Sequence, residues 1–116
     1  MTDVQLPNID PRMIANNLAA SNPMHPGELL RDELEARGIT QKHLSEELGI
    51  RRSILSEIIH GKRSISTEYA LLLEAALGID ADFWLKLQAD YNKEIAKADA
   101  GFMQRLNRIR QIAAVL

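Results

Sequence analysis

The sequence predicts an all-α fold, and three observations carry the prediction. Apolar residues recur at three- and four-residue spacing from about residue 24 onward. Short polar residues and glycines punctuate them where helices start and stop. Runs of alternating β-branched residues bounded by hairpin turns are missing.

The first helix is expected in "HPGELLRDELEARG", where Pro26 suits a first helical position, Leu29, Leu30 and Leu34 share a face, and Gly38 stops the pattern. "TQKHLSEELG" follows as a helix of two turns, with Thr40 as N-cap, Leu44 and Leu48 four residues apart, and Gly49 at the left-handed cap. The third, "IRRSILSEIIHG", sets Ile54, Leu55, Ile58 and Ile59 on one side and ends at Gly61. The fourth, "STEYALLLEAALG", has Ser66 as cap, Glu68 in the first turn, where a negative charge suits the helix dipole, and Gly78 at its end. The fifth, "DADFWLKLQADYNKEIAKA", is capped by Asp80 and carries Phe83, Trp84, Leu87, Tyr91 and Ile95 at helical spacing. Neither Ser66 nor Asp80 is followed three residues on by Glu or Gln, so neither completes a capping box.

These five helices assign residues 24–99 to one domain. Residues 1–23 are expected as an N-terminal arm, in which Asp10 and Pro11 suit the start of a short helix containing Ile14 and Leu18. Residues 100–116 are expected as a C-terminal helical tail that is amphipathic, with Leu106, Ile109 and Ile112 opposite Arg105, Arg108 and Arg110.

Composition narrows the function classes. A chain of 116 residues with 46% apolar and 26% charged side chains supports one folded domain with tails rather than wholesale disorder. The absence of cysteine removes disulfides, thiolate nucleophiles and cysteine-ligated zinc, and suits a reducing, cytoplasmic compartment. The N-terminus lacks a basic start followed by an apolar run, and no apolar stretch approaches the roughly 20 residues that span a bilayer, so no membrane partner is expected. His25, His43 and His60 lie 18 and 17 residues apart, without the paired spacing of helical metal ligands, so neither metal nor cofactor is expected. No nucleophile elbow, phosphate loop or metalloprotease box is present, and the chain is not expected to be an enzyme.

The net charge of −2 hides a segregation. Residues 51–63 carry +3 and residues 97–116 carry +3, whereas residues 24–50 and 64–96 carry −3 and −4. A local cation on an acidic domain draws a polyanion to one face and discourages adhesion elsewhere. Taken alone, the basic stretch would equally describe a solvated helix face.

Its position decides otherwise. The second and third helices are short and joined through Gly49 by a turn of about four residues, the helix-turn-helix arrangement in which the second helix is presented outward. Leu44, Leu48, Ile50, Leu55 and Ile58 would close the small core between them. At 100° per residue, Arg52, Ser53, Ser56, Glu57 and His60 then face away from the aliphatics. In a groove-reading helix the N-terminal side chains reach base edges, and arginine on guanine supplies about 1–3 kcal/mol of discrimination. Arg52 is therefore the candidate reader of DNA, with Ser53 and Ser56 short enough to approach the groove beside it. Arg51, nearer the cap, is assigned to phosphate. So are Thr40, Gln41 and Lys42, at the exposed amides that open the second helix, and Lys62 and Arg63, just beyond the third.

"MHPGELLRDELEARGITQKHLSEELGI", "LSEIIHGKRSIS" and "ALGIDADFWLKLQADYN" together resemble the HigA antitoxins, a branch of the lambda-repressor-like (XRE-type) helix-turn-helix proteins, over roughly residues 24–96. The histidine-proline-glycine opening and the "FWLKLQ" segment point to this branch rather than to the broad superfamily. The resemblance implies a five-helix lambda-repressor-like domain that forms a homodimer and binds a palindromic operator in its own promoter. It also implies a partner toxin of the RelE-like, ribosome-dependent mRNA endonuclease class, which the chain neutralises. Arg51 stands where the family commonly has a Ser or Thr cap, Ser53 where a longer polar residue is frequent, and Ser45 where Ala is typical, so the operator sequence does not carry over. A stand-alone helix-turn-helix regulator without a toxin is the alternative, and an interaction module that lost DNA binding is a further one.

A twofold mate is needed to read two half-sites one DNA turn apart. Phe83, Trp84, Leu87 and Tyr91 form an aromatic-rich stripe expected mostly in the core, and this region or the C-terminal tail is the candidate dimer interface.

Overall fold

The computed structural model describes residues 23–115. Among them are six helices: α1 (Pro26–Arg37), α2 (Gln41–Leu48), α3 (Arg52–Ile59), α4 (Thr67–Leu77), α5 (Ala81–Lys97) and α6 (Ala100–Ala113). The fold class is all-α as expected. The five helices of the domain are joined by a sixth, which falls in the segment expected as a helical tail. The short helix expected around Asp10–Leu18 lies outside the described residues.

One compact unit spans Met24–Tyr91, holding α1 to α4 and most of α5; the segment from Asn92 onward falls in a second. In the first unit the core is built from Leu30 and Leu34 of α1, Leu44 of α2, Leu55, Ile58 and Ile59 of α3, Leu73 and Leu77 of α4, and Trp84 of α5. Leu48, Ile50, Ile54 and Leu87 pack against its edge. Trp84 is wholly buried, and its indole N–H has no acceptor among the described residues. Burying about 200 Å² of indole at about 25 cal/mol per Å² gives about 5 kcal/mol. That outweighs the roughly 1–3 kcal/mol lost on an unsatisfied donor.

Cap chemistry sets the ends of the helices. Thr40 accepts from the His43 amide at 3.1 Å, Ser66 from Tyr69 at 3.2 Å and Asp80 from Asp82 at 2.8 Å, each as its side-chain type predicts. In the second unit Asp99 opens α6 by accepting from Phe102 at 3.0 Å. The capping box expected at neither Ser66 nor Asp80 occurs instead at α1. There His25 Nδ1 accepts from the Gly27 amide at 2.9 Å while the Glu28 carboxylate accepts from the His25 amide at 3.3 Å. Histidine is outside the usual cap set, so residue type alone does not announce this box.

Two polar side chains are buried inside the first unit with partners that explain them. Ser45 Oγ donates to the Lys42 carbonyl at 2.8 Å, so the hydroxyl is satisfied within its own helix. Gln88 Oε1 accepts from the Ile65 amide at 2.8 Å, pinning the α3–α4 connection to α5.

Candidate nucleic-acid interface

The site grows out of the joint between α2 and α3. Gly49 adopts φ 70°, a left-handed conformation that glycine takes without steric penalty, and the Ile50 amide then reaches back to the Ser45 carbonyl at 3.1 Å. The chain leaves α2, turns, and re-enters a helix at Arg51, whose φ −68° and ψ 143° are those of an extended N-cap. Leu55, Ile58 and Ile59 are buried, Ile54 lies at the core edge, and Arg51, Arg52, Ser53 and His60 are exposed. Burial of one stripe therefore fixes which stripe faces solvent, as the wheel predicts.

The outer face carries more internal bonding than the sequence indicates. The His60 imidazole Nδ1 lies 2.8 Å from the Ser56 carbonyl, and a carbonyl only accepts. The neutral ring therefore holds its proton on Nδ1, which leaves Nε2 as the remaining polar atom of an exposed side chain. Ser56 Oγ is 3.3 Å from the same Nδ1, so Ser56, half-buried, and His60 form one polar group at the C-terminal end of α3.

Arg63, expected at phosphate, is paired in this structure. Its Nη2 and Nε lie 2.7 and 2.8 Å from Glu57 Oε1, so the guanidinium is engaged by a carboxylate on α3. Glu57, with a smaller contribution from Tyr69, raises the Arg63 pKa. Nothing in the six-residue spacing of Glu57 and Arg63 announces this pair, because it depends on the turn at Gly61, φ 76°. Lys62 is exposed beside it.

At the start of α2, Thr40 Oγ1 caps the helix as an acceptor, so its hydroxyl hydrogen remains able to donate outward. Gln41 is half-buried and Lys42 exposed, at amides that the helix itself does not satisfy. Across this face, Arg51, Arg52 and Lys62 supply exposed cations, and Glu57 is the carboxylate set among them.

The aromatic stripe divides. Trp84 is core and is withdrawn from the candidate dimer interface; Leu87 and Tyr91 are half-buried, with Tyr91 edge-on to His25 at 4.8 Å between ring centroids. Phe83 remains, 45% exposed. In the second unit, α6 has no buried residue, and its Phe102, Ile109 and Ile112 are exposed.

Among the described residues no group of three or more His, Cys, Asp or Glu side chains is placed to hold a metal ion, and no helix is long and apolar enough to cross a membrane.

A helix-turn-helix family model matches residues 30–84. Virulence-associated protein A' of Dichelobacter nodosus is 44% identical over 72 residues, which are 61% of this chain and 63% of that one. Among solved structures, an addiction module antidote protein of the HigA family from Coxiella burnetii superimposes with a TM-score of 0.68 and 32% identity, covering 75% of this chain and 94% of that chain. Pseudomonas aeruginosa antitoxin HigA, solved with the higBA promoter, gives a TM-score of 0.66 and 32% identity, again with 75% and 94% covered.

Proposed function

The chain belongs to the HigA-type, lambda-repressor-like helix-turn-helix family, and from that premise we propose that it is the antitoxin of a toxin–antitoxin module that binds its own promoter DNA as a homodimer. The carrying observation is the division of α3, with Leu55, Ile58 and Ile59 buried and Arg52 and Ser53 exposed between flanking cations. That is the arrangement of a helix seated by its aliphatics and read by its polar edge. The Pseudomonas relative solved with promoter DNA supports the same reading.

In this reading Arg52 contacts a base, with Ser53 and Ser56 beside it. Arg51, Lys62, Thr40, Gln41 and Lys42 hold phosphates and set the register. Arg63 acts indirectly, by holding Glu57. Two exposed apolar sets are free to join the protomers: Phe83 on α5, and Phe102, Ile109 and Ile112 on α6. The partner neutralised is a RelE-like mRNA endonuclease, expressed in the cytoplasm with the antitoxin.

Co-expression with the neighbouring open reading frame, then pull-down and a promoter shift, tests the proposal. A co-purifying basic toxin and a shift confined to the upstream DNA are expected. A promoter shift with no toxin assigns the chain to the stand-alone regulators, and the absence of both removes the DNA-binding reading.

A further inference from the structure

His25 lies away from the outer face of α3, yet its contacts converge on the end of that helix. The side chain is 5% exposed. Its Nδ1 accepts the Gly27 amide at 2.9 Å at the first turn of α1, and its ring stands edge-on to Tyr91 of α5. The ring also faces Gly61: a Cβ added there would sit 3.6 Å from the imidazole Cγ, so the turn lies about one methyl group from the ring. Gly61 is the left-handed residue through which the chain leaves α3 and passes to Lys62 and Arg63.

This arrangement works only for a neutral ring. The Gly27 N–H is a donor, so Nδ1 must keep its lone pair and the proton must sit on Nε2. A second proton converts Nδ1 into a donor facing a donor, and sets a cation at the positive end of the α1 dipole. Glu28 is the charged group facing the ring from α1, and it favours the cation; α5 presents the Tyr91 phenol ring, and the α3–α4 turn presents main chain at Gly61. Burial prevails over Glu28, and the His25 pKa lies below the ordinary imidazole value of 6.5.

We propose that His25 is a positioning residue for DNA binding and acts as a proton-operated latch. Neutral, it ties the start of α1 to the Gly61 turn and so fixes where α3 ends and where Lys62 and Arg63 stand. Protonated, it gives up the Gly27 bond, loosens the turn, and weakens DNA binding. The effect on DNA rests on the DNA-binding reading above; the latch itself does not.

The sign follows from linkage. With a depressed folded-state pKa, the unfolded chain takes up the proton first, so folding is favoured above pH 6.5 and loses that advantage as pH falls through the folded pKa. An open latch draws the equilibrium the same way, so DNA affinity falls with acidification by up to about tenfold per pH unit below the folded pKa.

The test compares the full-length parent with His25→Asn, which retains a capping acceptor but does not titrate. Affinity for the upstream DNA is followed from about pH 7.5 to about pH 5.5, across the range in which imidazole titrates. His43 and His60 are present in both proteins, so the difference isolates His25. The parent is expected to lose affinity more steeply than the variant. In parallel, NMR of the parent reads the His25 tautomer and the amide signals of Gly27, Gly61 and Lys62. An Nε2–H tautomer at neutral pH, with those three amides moving at the His25 midpoint, supports the latch. An Nδ1–H tautomer, or Gly61 and Lys62 signals indifferent to the His25 titration, overturns it whether or not the variant folds. Equal pH profiles of DNA affinity overturn its coupling to binding. Failure of the parent to bind the DNA at any pH instead refutes the DNA-binding reading, while the amide signals still decide the latch.

Discussion

Gly27 packs its Cα directly against the backbone of Ile58, so closely that a Cβ would collide with the Ile58 carbonyl oxygen. This places the first turn of α1 on the last turn of α3, and it couples the histidine-proline-glycine opening to the helix proposed to face DNA. Each residue of that opening then has its own physical role. His25 caps, Pro26 occupies the first helical position, and Gly27 permits the approach.

Gly27→Ala is accordingly expected to destabilise the domain by about 1–3 kcal/mol, the usual range for overpacking a fixed site, even though alanine is the better helix former. Main chain rather than a movable side chain is struck, so relaxation requires α3 to shift. Urea unfolding followed by circular dichroism measures the loss, and a neutral or stabilising result would contradict the close approach.

Arg51 occupies an N-cap without a side-chain cap bond. Arg51→Thr supplies an acceptor and is expected to raise stability by about 0.5–1 kcal/mol. The same change removes the proposed phosphate contact, so DNA affinity should fall similarly on all sequences and the salt dependence should flatten by about one charge. Thermal melts and salt-titrated anisotropy read the two effects separately. Opposite signs for stability and binding are the expected signature of a cap given up for function.

Glu57 places a carboxylate on the outer face and holds Arg63 against it. Glu57→Gln lowers the local negative charge and loosens the guanidinium, so nonspecific DNA affinity should rise and its salt dependence steepen. Lys62→Ala should do the reverse, weakening all DNA alike. Filter binding on random-sequence duplex distinguishes them. A loss of affinity in Glu57→Gln confined to the promoter would instead make Glu57 a reader, as a carboxylate accepting from a cytosine amino group.

The parts legible in the sequence are those set by local chemistry. Thr40, Ser66 and Asp80 cap because a short oxygen acceptor precedes a helical run, and Leu55 and Ile58 are core because their period matches a helix. Gly49 turns because a left-handed residue is needed between two short helices. The features that sequence pattern does not reveal depend on residues brought together by tertiary structure or on unusual chemistry. The His25–Glu28 box uses an uncommon cap residue, the Gly27–Ile58 approach joins two helices, and the Glu57–Arg63 pair requires the Gly61 turn. Trp84 shows the limit of periodicity: spacing alone groups it with Phe83, yet one ring lies in the core and the other is exposed.

The most direct measurement is a fluorescence anisotropy titration of the parent and Arg52→Ala on the protein's own upstream DNA and on a scrambled duplex of equal length. The parent is expected to prefer its own DNA, and Arg52→Ala to lose about tenfold to a hundredfold on that DNA, from a bidentate contact of about 1–3 kcal/mol, with much less change on the scrambled duplex. Identical curves for parent and Arg52→Ala on the upstream DNA would contradict the assignment of α3 as the reading helix through Arg52.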